Sequence, residues 1–431
     1  MNLGILGGGL TGLTLATLLG EYDVEVLEAY SRPGGLCRSF EMDGFRGDYG
    51  GHVMFSKDKE ALAFLVDILQ GNVHEVRREN RVLYKNAFVK YPFENDLASI
   101  PVEDRYECLY HFLYNDYNCP ETSSLKEWIY ITFGKGIAER YLMPYNQKIW
   151  KANPSELSVS WVERIPKPPK EDVIKSALGI STEGYIHQLF FKYPAKGGIE
   201  ALILAMANKT KVKTGFKVTG IRNENDGWTV QSEIGETYKY DHIISTIPVF
   251  DLFNALEQVD PVILSLINQL RYNTLIVVMV CLSVPRRHNF SAMYVPDPDI
   301  VFHRVCYMDY FSRDNSPEGC SAVIAEITVQ RGEEVSRLSD KLLADIVIND
   351  LAKMGLIDRK KIVDFCVRRQ KYGYVVNYLG YESLLKEIHT YLDRIGLSFC
   401  GRFAEFRYLN MDGCVRSAFG VAQRIRETLF S

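Results

Sequence analysis

Three glycines, one acid and a dispersed set of arginines are the residues whose types and spacing could do chemistry in this chain of 431 residues. Gly7, Gly9 and Gly12 form GxGxxG within Gly7-Gly-Gly-Leu-Thr-Gly12. In this spacing the first glycine makes a tight turn and the second lets the main chain approach a pyrophosphate. The third lets a helix pack closely on a strand. The phosphates then meet free N–H groups at the positive end of that helix. Glu28, sixteen residues after Gly12, stands where a carboxylate accepts hydrogen bonds from a ribose diol.

Arginine's planar fork suits phosphate oxygens, so converging arginines would make a second anion site. Four segments offer them: Trp161-Val-Glu-Arg164, Phe302-His-Arg304, Arg369-Gln-Lys-Tyr372-Gly-Tyr374 and Gly401-Arg402-Phe-Ala-Glu-Phe-Arg407-Tyr408. Any one of them alone is more readily a surface ion pair. His52 is the only histidine at a glycine-rich strand end. No HExxH, GxSxG elbow or reactive-cysteine context is present, so neither a metal nor a side-chain nucleophile is expected.

These residues need elements to position them. Asn2–Gly7 reads as a strand, the apolar positions from Leu13 to Leu19 as a helix, and Asp23–Glu28 as a second strand, a βαβ opening in which the glycine fingerprint has its proper context. At this point NAD and FAD remain equally open. Residues 56–71 read as a helix, Arg81–Tyr91 as a hairpin, and 100–165 as helical, ending in the proline loop Ile165-Pro-Lys-Pro-Pro-Lys170. Strand patterns return at Val212–Ser232, with a turn at 225–227, and at Tyr240–Pro248. They continue at Leu275–Val284, Ala322–Val329 and Ile362–Arg369, mixed with a helix at 339–353. A strand at Leu397 and a helix at 413–429 end the chain.

Composition excludes several classes. A formal charge of −4 gives no sign of a nucleic-acid partner. The nine cysteines are dispersed and odd in number, which suits a reducing compartment. The apolar run Leu275–Leu282 is far shorter than the roughly 20 residues a membrane span needs. The protein reads as soluble and cytoplasmic. The 26 tyrosines suit a nucleobase and sugar pocket, although on composition alone packing is the better account.

Two further segments narrow the ligand. Arg32-Pro-Gly-Gly35-Leu36-Cys-Arg38-Ser resembles the second glycine motif of amine-oxidase-like flavoproteins, and Phe45-Arg-Gly-Asp-Tyr-Gly-Gly51-His52 lets main chain lie against a flat ring. Both favour FAD.

Taken in order, GGGLTG, PGGLCRS, GGHVMFS, VKYPFEN, LMPYNQKIW, WVERIP, FKYPAKGG, FHR, RRQKYGY and GRFAEFRY resemble the UDP-galactopyranose mutases, particularly the eukaryotic type, nearly end to end. The resemblance implies an α/β fold (α+β overall) with a Rossmann-like FAD-binding domain, a helical insertion domain and an antiparallel-sheet substrate domain. Residues 1–75, 195–248 and 395–431 would form the discontinuous FAD domain. Residues 96–190 would form the helical cap, and 76–95 with 249–394 the sheet roofing the pocket. The implied activity is isomerisation of UDP-galactopyranose to UDP-galactofuranose, with reduced FAD N5 as nucleophile and no net redox change. An external reductant such as NAD(P)H or a flavin reductase is expected, and a homo-oligomer is compatible.

The resemblance also assigns roles. Gly7, Gly9, Leu10, Thr11, Gly12, Glu28, Gly35, Leu36, Arg38, Gly51, His52, Val218, Gly401, Arg402, Tyr408, Met411 and Asp412 are expected to hold FAD. Tyr91, Asn95, Tyr141, Asn146, Trp150, Arg164, Gln188, Tyr294, Arg304, Tyr374 and Arg407 are expected around the substrate, with His52, Arg164, Arg304 and Arg407 as the catalytic set. Three positions depart from the pattern: Glu94 for glutamine, Gln188 for asparagine, and Phe311 for tyrosine, with Tyr310 adjacent. The rival reading is an FAD oxidase or desaturase resembling protoporphyrinogen oxidase. A binding protein resembling the Rab-escort and GDP-dissociation-inhibitor relatives is a third, opposed by the intact Gly7/Gly9/Gly12/Glu28 set.

Overall fold

A computed structural model describes residues 1–117, 124–162, 165, 167–183, 189–224 and 227–430. The fold is mixed α/β, with one parallel Rossmann-like sheet and one mixed, largely antiparallel sheet.

The parallel sheet draws on distant parts of the chain. Its strands run in the order Ser398–Phe399, His242–Ser245, Asn2–Leu6, Asp23–Leu27 and Lys211–Lys213. The central strands are buried on both sides, which is why they read as continuous apolar runs. The helix Leu10–Leu18 follows the first strand and is buried almost all round. Against it lies the last helix, Met411–Phe430.

The second sheet has seven strands: Ile362–Val376, Arg271–Leu282, Ser321–Val329, Arg304–Tyr307, Ala292–Tyr294, Asn80–Tyr84 and Ala87–Lys90. All neighbours are antiparallel except Ala292–Tyr294 beside Asn80–Tyr84. One face packs on the helix Asp340–Lys353 through Val278, Val280, Ile324-flanking Val323 and Leu343. The other face looks toward the cavity.

The helical layer comprises Val102–Leu113, Leu125–Ile137, a π-helical turn Ala138–Leu142, Met143–Trp150 and Lys170–Ala177. Ser124 starts the second of these with a capping box: its hydroxyl accepts from the Glu127 N–H while the Glu127 carboxylate accepts from the Ser124 N–H.

Two features differ from the sequence reading. The helices Val249–Ala255, Pro261–Ile267 and Tyr381–Arg394 fall within the stretch expected to roof the pocket. Their apolar residues, among them Leu252, Ile263, Leu385 and Ile388, instead share a core with Leu6, Leu27 and Ile243 of the parallel sheet. The helix expected at 56–71 is shorter, Lys59–Ile68, because Asp58 caps it by accepting from the Ala61 N–H.

Candidate active site

The glycine fingerprint sits where strand Asn2–Leu6 turns into helix Leu10–Leu18. A Cβ on Gly12 would lie 2.0 Å from the Gly7 carbonyl oxygen, so only glycine lets this helix close on the strand. A Cβ on Gly9 would meet nothing within 4 Å, so the chain there borders open space. The helix has no side-chain cap and no acid in its first turn, leaving its N–H groups and positive end available to an anion.

Glu28 is buried. Its Oε2 accepts from the Gly8 N–H at 2.8 Å and its Oε1 from the Tyr30 N–H at 2.9 Å. Burial raises its pKa, against the pull of those two bonds. Each oxygen keeps acceptor capacity for a diol. Arg38 donates from Nε to the Gly35 carbonyl at 3.0 Å and lies over the rings of Tyr30 and Tyr49. Leu10, Thr11, Leu36, Val218, Met411 and Asp412 line the same cavity, and Asp412 accepts from Ser56 Oγ. Gly12 and Gly401 stand behind this lining. Gly401, at φ +98°, is packed against Thr11.

The cavity encloses about 1050 Å³ and runs on past Gly50, Gly51 and His52 to the seven-stranded sheet. There Arg304 and Glu326 face each other in register on neighbouring strands. Arg304 donates from Nε to Oε1 at 2.7 Å and from Nη2 to Oε2 at 2.6 Å. Glu326 is fully buried and also accepts from the Gly51 N–H at 3.0 Å. Burial works to raise the Glu326 pKa, but the Arg304 charge outweighs it and the net shift is downward. Desolvation pushes His52 down to about 4, so its ring is neutral, and its Nδ1 is buried without a partner among the described residues.

Tyr294, Tyr374 and Tyr408 complete this wall with Arg402. Arg402 lies over the rings of Tyr408 and Tyr374, at 4.7 and 5.3 Å, and donates from Nη2 to the Gly373 carbonyl. Its Nε is buried and unpartnered among the described residues, as suits a group facing a ligand.

Other expected substrate residues lie one layer back. Tyr91 packs against Tyr294 at 5.0 Å, and Tyr141 stacks on Phe93 at 5.3 Å. Trp150 meets Trp161, Tyr374 and Tyr408, and is held by Asn146. Asn95 donates to Thr182 Oγ1. None of Tyr91, Asn95, Tyr141, Asn146 and Trp150 lines the cavity. Arg164, Gln188 and the turn at 225–226 lie outside the described residues.

Arg407 corrects the sequence reading. Its side chain is 62% exposed and pairs with Glu405 at 3.5 Å, away from the cavity. Phe406, at φ +53° and fully buried, turns the chain so that Arg407 points outward, while Arg402 supplies the guanidinium inside. Phe311 is the aromatic residue on the cavity, packed on Phe191 and Tyr193. Tyr310 turns away and donates to the Arg77 carbonyl.

Among the cavity residues that escaped the sequence reading, three polar ones stand at the cavity's far end. Arg78 lies over Phe55 at 4.2 Å, and burial lowers its pKa. Asn80 donates to the Tyr294 hydroxyl at 3.3 Å. Glu326 had one legible signal: it is the lone acid in Ser-Ala-Val-Ile-Ala-Glu-Ile-Thr-Val. Among the described residues no acid, histidine and cysteine cluster could hold a metal, and no helix is long and apolar enough to cross a membrane.

Residues 10–426 match the flavin containing amine oxidoreductase family. Polyamine oxidase 4 of Oryza sativa subsp. japonica is 22% identical over 404 residues, 87% of this chain and 77% of its own length. The crystal structure of reduced UDP-galactopyranose mutase superposes with a TM-score of 0.91 at 24% identity, covering 99% of this chain and 96% of that one. A protein from Exiguobacterium sp. 255-15 named after protoporphyrinogen oxidase superposes with a TM-score of 0.77 at 17% identity, covering 98% of each chain.

Proposed function

The chain belongs to the flavin containing amine oxidoreductase family, and on that premise we propose that this FAD-dependent enzyme interconverts the pyranose and furanose forms of a UDP-sugar. The observation that carries the reading is the far wall of the cavity. Arg78, Asn80, Tyr294, Arg304, Tyr374 and Arg402 give it guanidinium, amide and hydroxyl groups, which match phosphates and sugar hydroxyls better than an apolar donor. The likeness to reduced UDP-galactopyranose mutase over nearly the whole of both chains supports it.

The residues present fit FAD. Gly9 and the uncapped helix start would take the diphosphate, Glu28 the ribose, and Gly50 to His52 the edge of a flat ring. The orphaned His52 Nδ1 and Arg402 Nε would find partners there. When bound and reduced, FAD supplies a nucleophile at N5 and ends in the redox state in which it began. The chain's own part is to bind and orient. Arg78, Arg402 and the free edge of Arg304 would meet the anionic end of the substrate, and His52 remains an uncharged hydrogen-bond partner at neutral pH. Trp150 and Trp161 pack behind Tyr374 and Tyr408 and exclude water from that side. Electrons must come from outside, from NAD(P)H or a flavin reductase.

A second reading, an FAD oxidoreductase, is favoured by one observation. Glu326 already balances Arg304, so the wall is less cationic than its three arginines, Arg78, Arg304 and Arg402, would otherwise make it. Anaerobic incubation with UDP-galactofuranose separates the two. Conversion to the pyranose by dithionite-reduced protein, absent in oxidised protein, supports the mutase. No conversion, together with flavin reduction by an apolar or amine donor, refutes it.

A further inference from the structure

We propose that Glu326 is a positioning residue of this site: it fixes the orientation of the Arg304 guanidinium, cancels its charge, and ties it to the loop Gly50–His52. The inference rests on the FAD reading above but not on the identity of the sugar.

Packing gives no reason for this acid. The strand Ser321–Val329 is buried at every position, and Glu326, 0% exposed, is the one charged residue in it. A well-packed apolar pair at 304 and 326 would serve the sheet as well, because desolvating two charges offsets most of their attraction. The carboxylate instead has three N–H donors: Nε and Nη2 of Arg304 and the amide of Gly51. The close approach extends to Gly50, where a Cβ would stand 3.2 Å from Glu326 Oε2. One buried group thereby joins the sheet to the loop that lines the flavin end of the cavity.

The geometry has two consequences. A guanidinium carries five N–H bonds in a rigid fork. With Nε and one Nη2 hydrogen committed to Glu326, both Nη1 hydrogens and the second Nη2 hydrogen remain for the cavity that Arg304 lines. Glu326 thus selects the edge that an anionic substrate meets. The pair is also close to neutral in sum, so the ring beside Gly51 and His52 is not exposed to a full positive charge from this side. The other charged or titratable groups facing the pair are Arg78, His52, Tyr145, His303, Tyr374 and the Cys306 thiol. The two histidines are held neutral by burial, which also keeps the thiol protonated.

Sulfite tests the charge balance without any substrate. Its sulfur lone pair forms a bond to N5 of oxidised flavin, and the negative charge passes into the ring, so affinity reports positive charge nearby. E326Q is nearly isosteric and leaves Arg304 uncompensated. Titration of the holoenzyme should show sulfite bound about ten-fold more tightly in E326Q than in wild type, with FAD content unchanged. An unchanged sulfite affinity in FAD-loaded E326Q overturns the proposal. If E326Q loses FAD, two charge-conserving variants decide. E326D and R304K should both stay within about two-fold of wild type for sulfite, while R304K, lacking the fork, weakens UDP by about ten-fold. A ten-fold sulfite shift in either variant, or unaltered UDP affinity in R304K, refutes the assignment. If wild-type protein does not bind UDP, the nucleotide-sugar reading fails, and the sulfite comparison still judges Glu326.

Discussion

Asn146 Oδ1 accepts the indole N–H of Trp150 at 3.0 Å, one helical turn along, while Asn146 Nδ2 donates to the Leu142 carbonyl at 2.8 Å. Both ends of the amide are therefore committed within the continuous helical stretch formed by Ala138–Leu142 and Met143–Trp150. Asn146 acts through Trp150, whose ring meets Tyr374 and Tyr408 edge-on at 5.9 and 5.3 Å.

Asn146→Ala should consequently raise KM while changing kcat little, because it frees the indole that backs the two cavity tyrosines. The loss of one buried hydrogen bond should also cost about 1 kcal/mol of stability. Steady-state kinetics and denaturant titration check both, and a kcat effect with unchanged KM contradicts this role.

Glu28→Gln should impair FAD retention. The carboxylate accepts two backbone N–H groups through different oxygens, and an amide offers only one accepting oxygen. The flavin-to-protein ratio after gel filtration should fall, with an affinity loss of about ten-fold or more. A full complement of tightly held flavin would show that the ribose lies elsewhere.

Arg304 and Glu326 should be strongly non-additive in stability. Arg304→Met alone leaves a buried carboxylate without its partner and should cost about 3–5 kcal/mol, whereas Arg304→Met with Glu326→Met should cost much less. Denaturant titration of the two single variants and the double variant measures the coupling. Equal and additive losses would contradict a tight pair.

Stability should fall as pH drops from neutrality toward about 5. Burial lowers His52 to about 4 and His303 to about 3, so the unfolded chain takes up these protons first. The folded state loses its advantage as pH falls from the ordinary histidine range through those values. Each histidine contributes about 2 kcal/mol to the loss by about pH 5. Asp48 runs the other way. Burial raises it to about 6, so its contribution is full below the ordinary aspartate range and is lost as pH rises through 6, which offsets part of the fall. His52→Gln should flatten the pH profile of the melting temperature, and an unchanged slope would contradict a neutral buried His52.

What the sequence revealed depended on how local the signal was. The fingerprint and Glu28 were legible because turn, helix and second strand lie within thirty residues, and their spacing alone dictates the contacts. The parallel sheet's later strands were read as strands, but their order is set by long-range pairing that no local pattern encodes. Arg402 and Arg407 sit in one short turn, and the left-handed Phe406 between them decides which reaches the cavity. Arg78 carries no motif at all; it enters the site because strand Asn80–Tyr84 pairs with Ala292–Tyr294. Glu326 was visible as an acid in an apolar strand, but its meaning required knowing which strand lies opposite. The helix Tyr381–Arg394 has a clear apolar stripe, and only packing shows that it belongs with the parallel sheet.

The most direct test of the central claim counts turnovers per reducing equivalent. FAD-loaded protein is reduced once by dithionite, freed of excess reductant, and given a large anaerobic excess of UDP-galactofuranose. An isomerase reaches equilibrium with UDP-galactopyranose after many turnovers, and its flavin is still reduced at the end. Product limited to one equivalent per flavin, or flavin oxidised in step with product, would contradict the account.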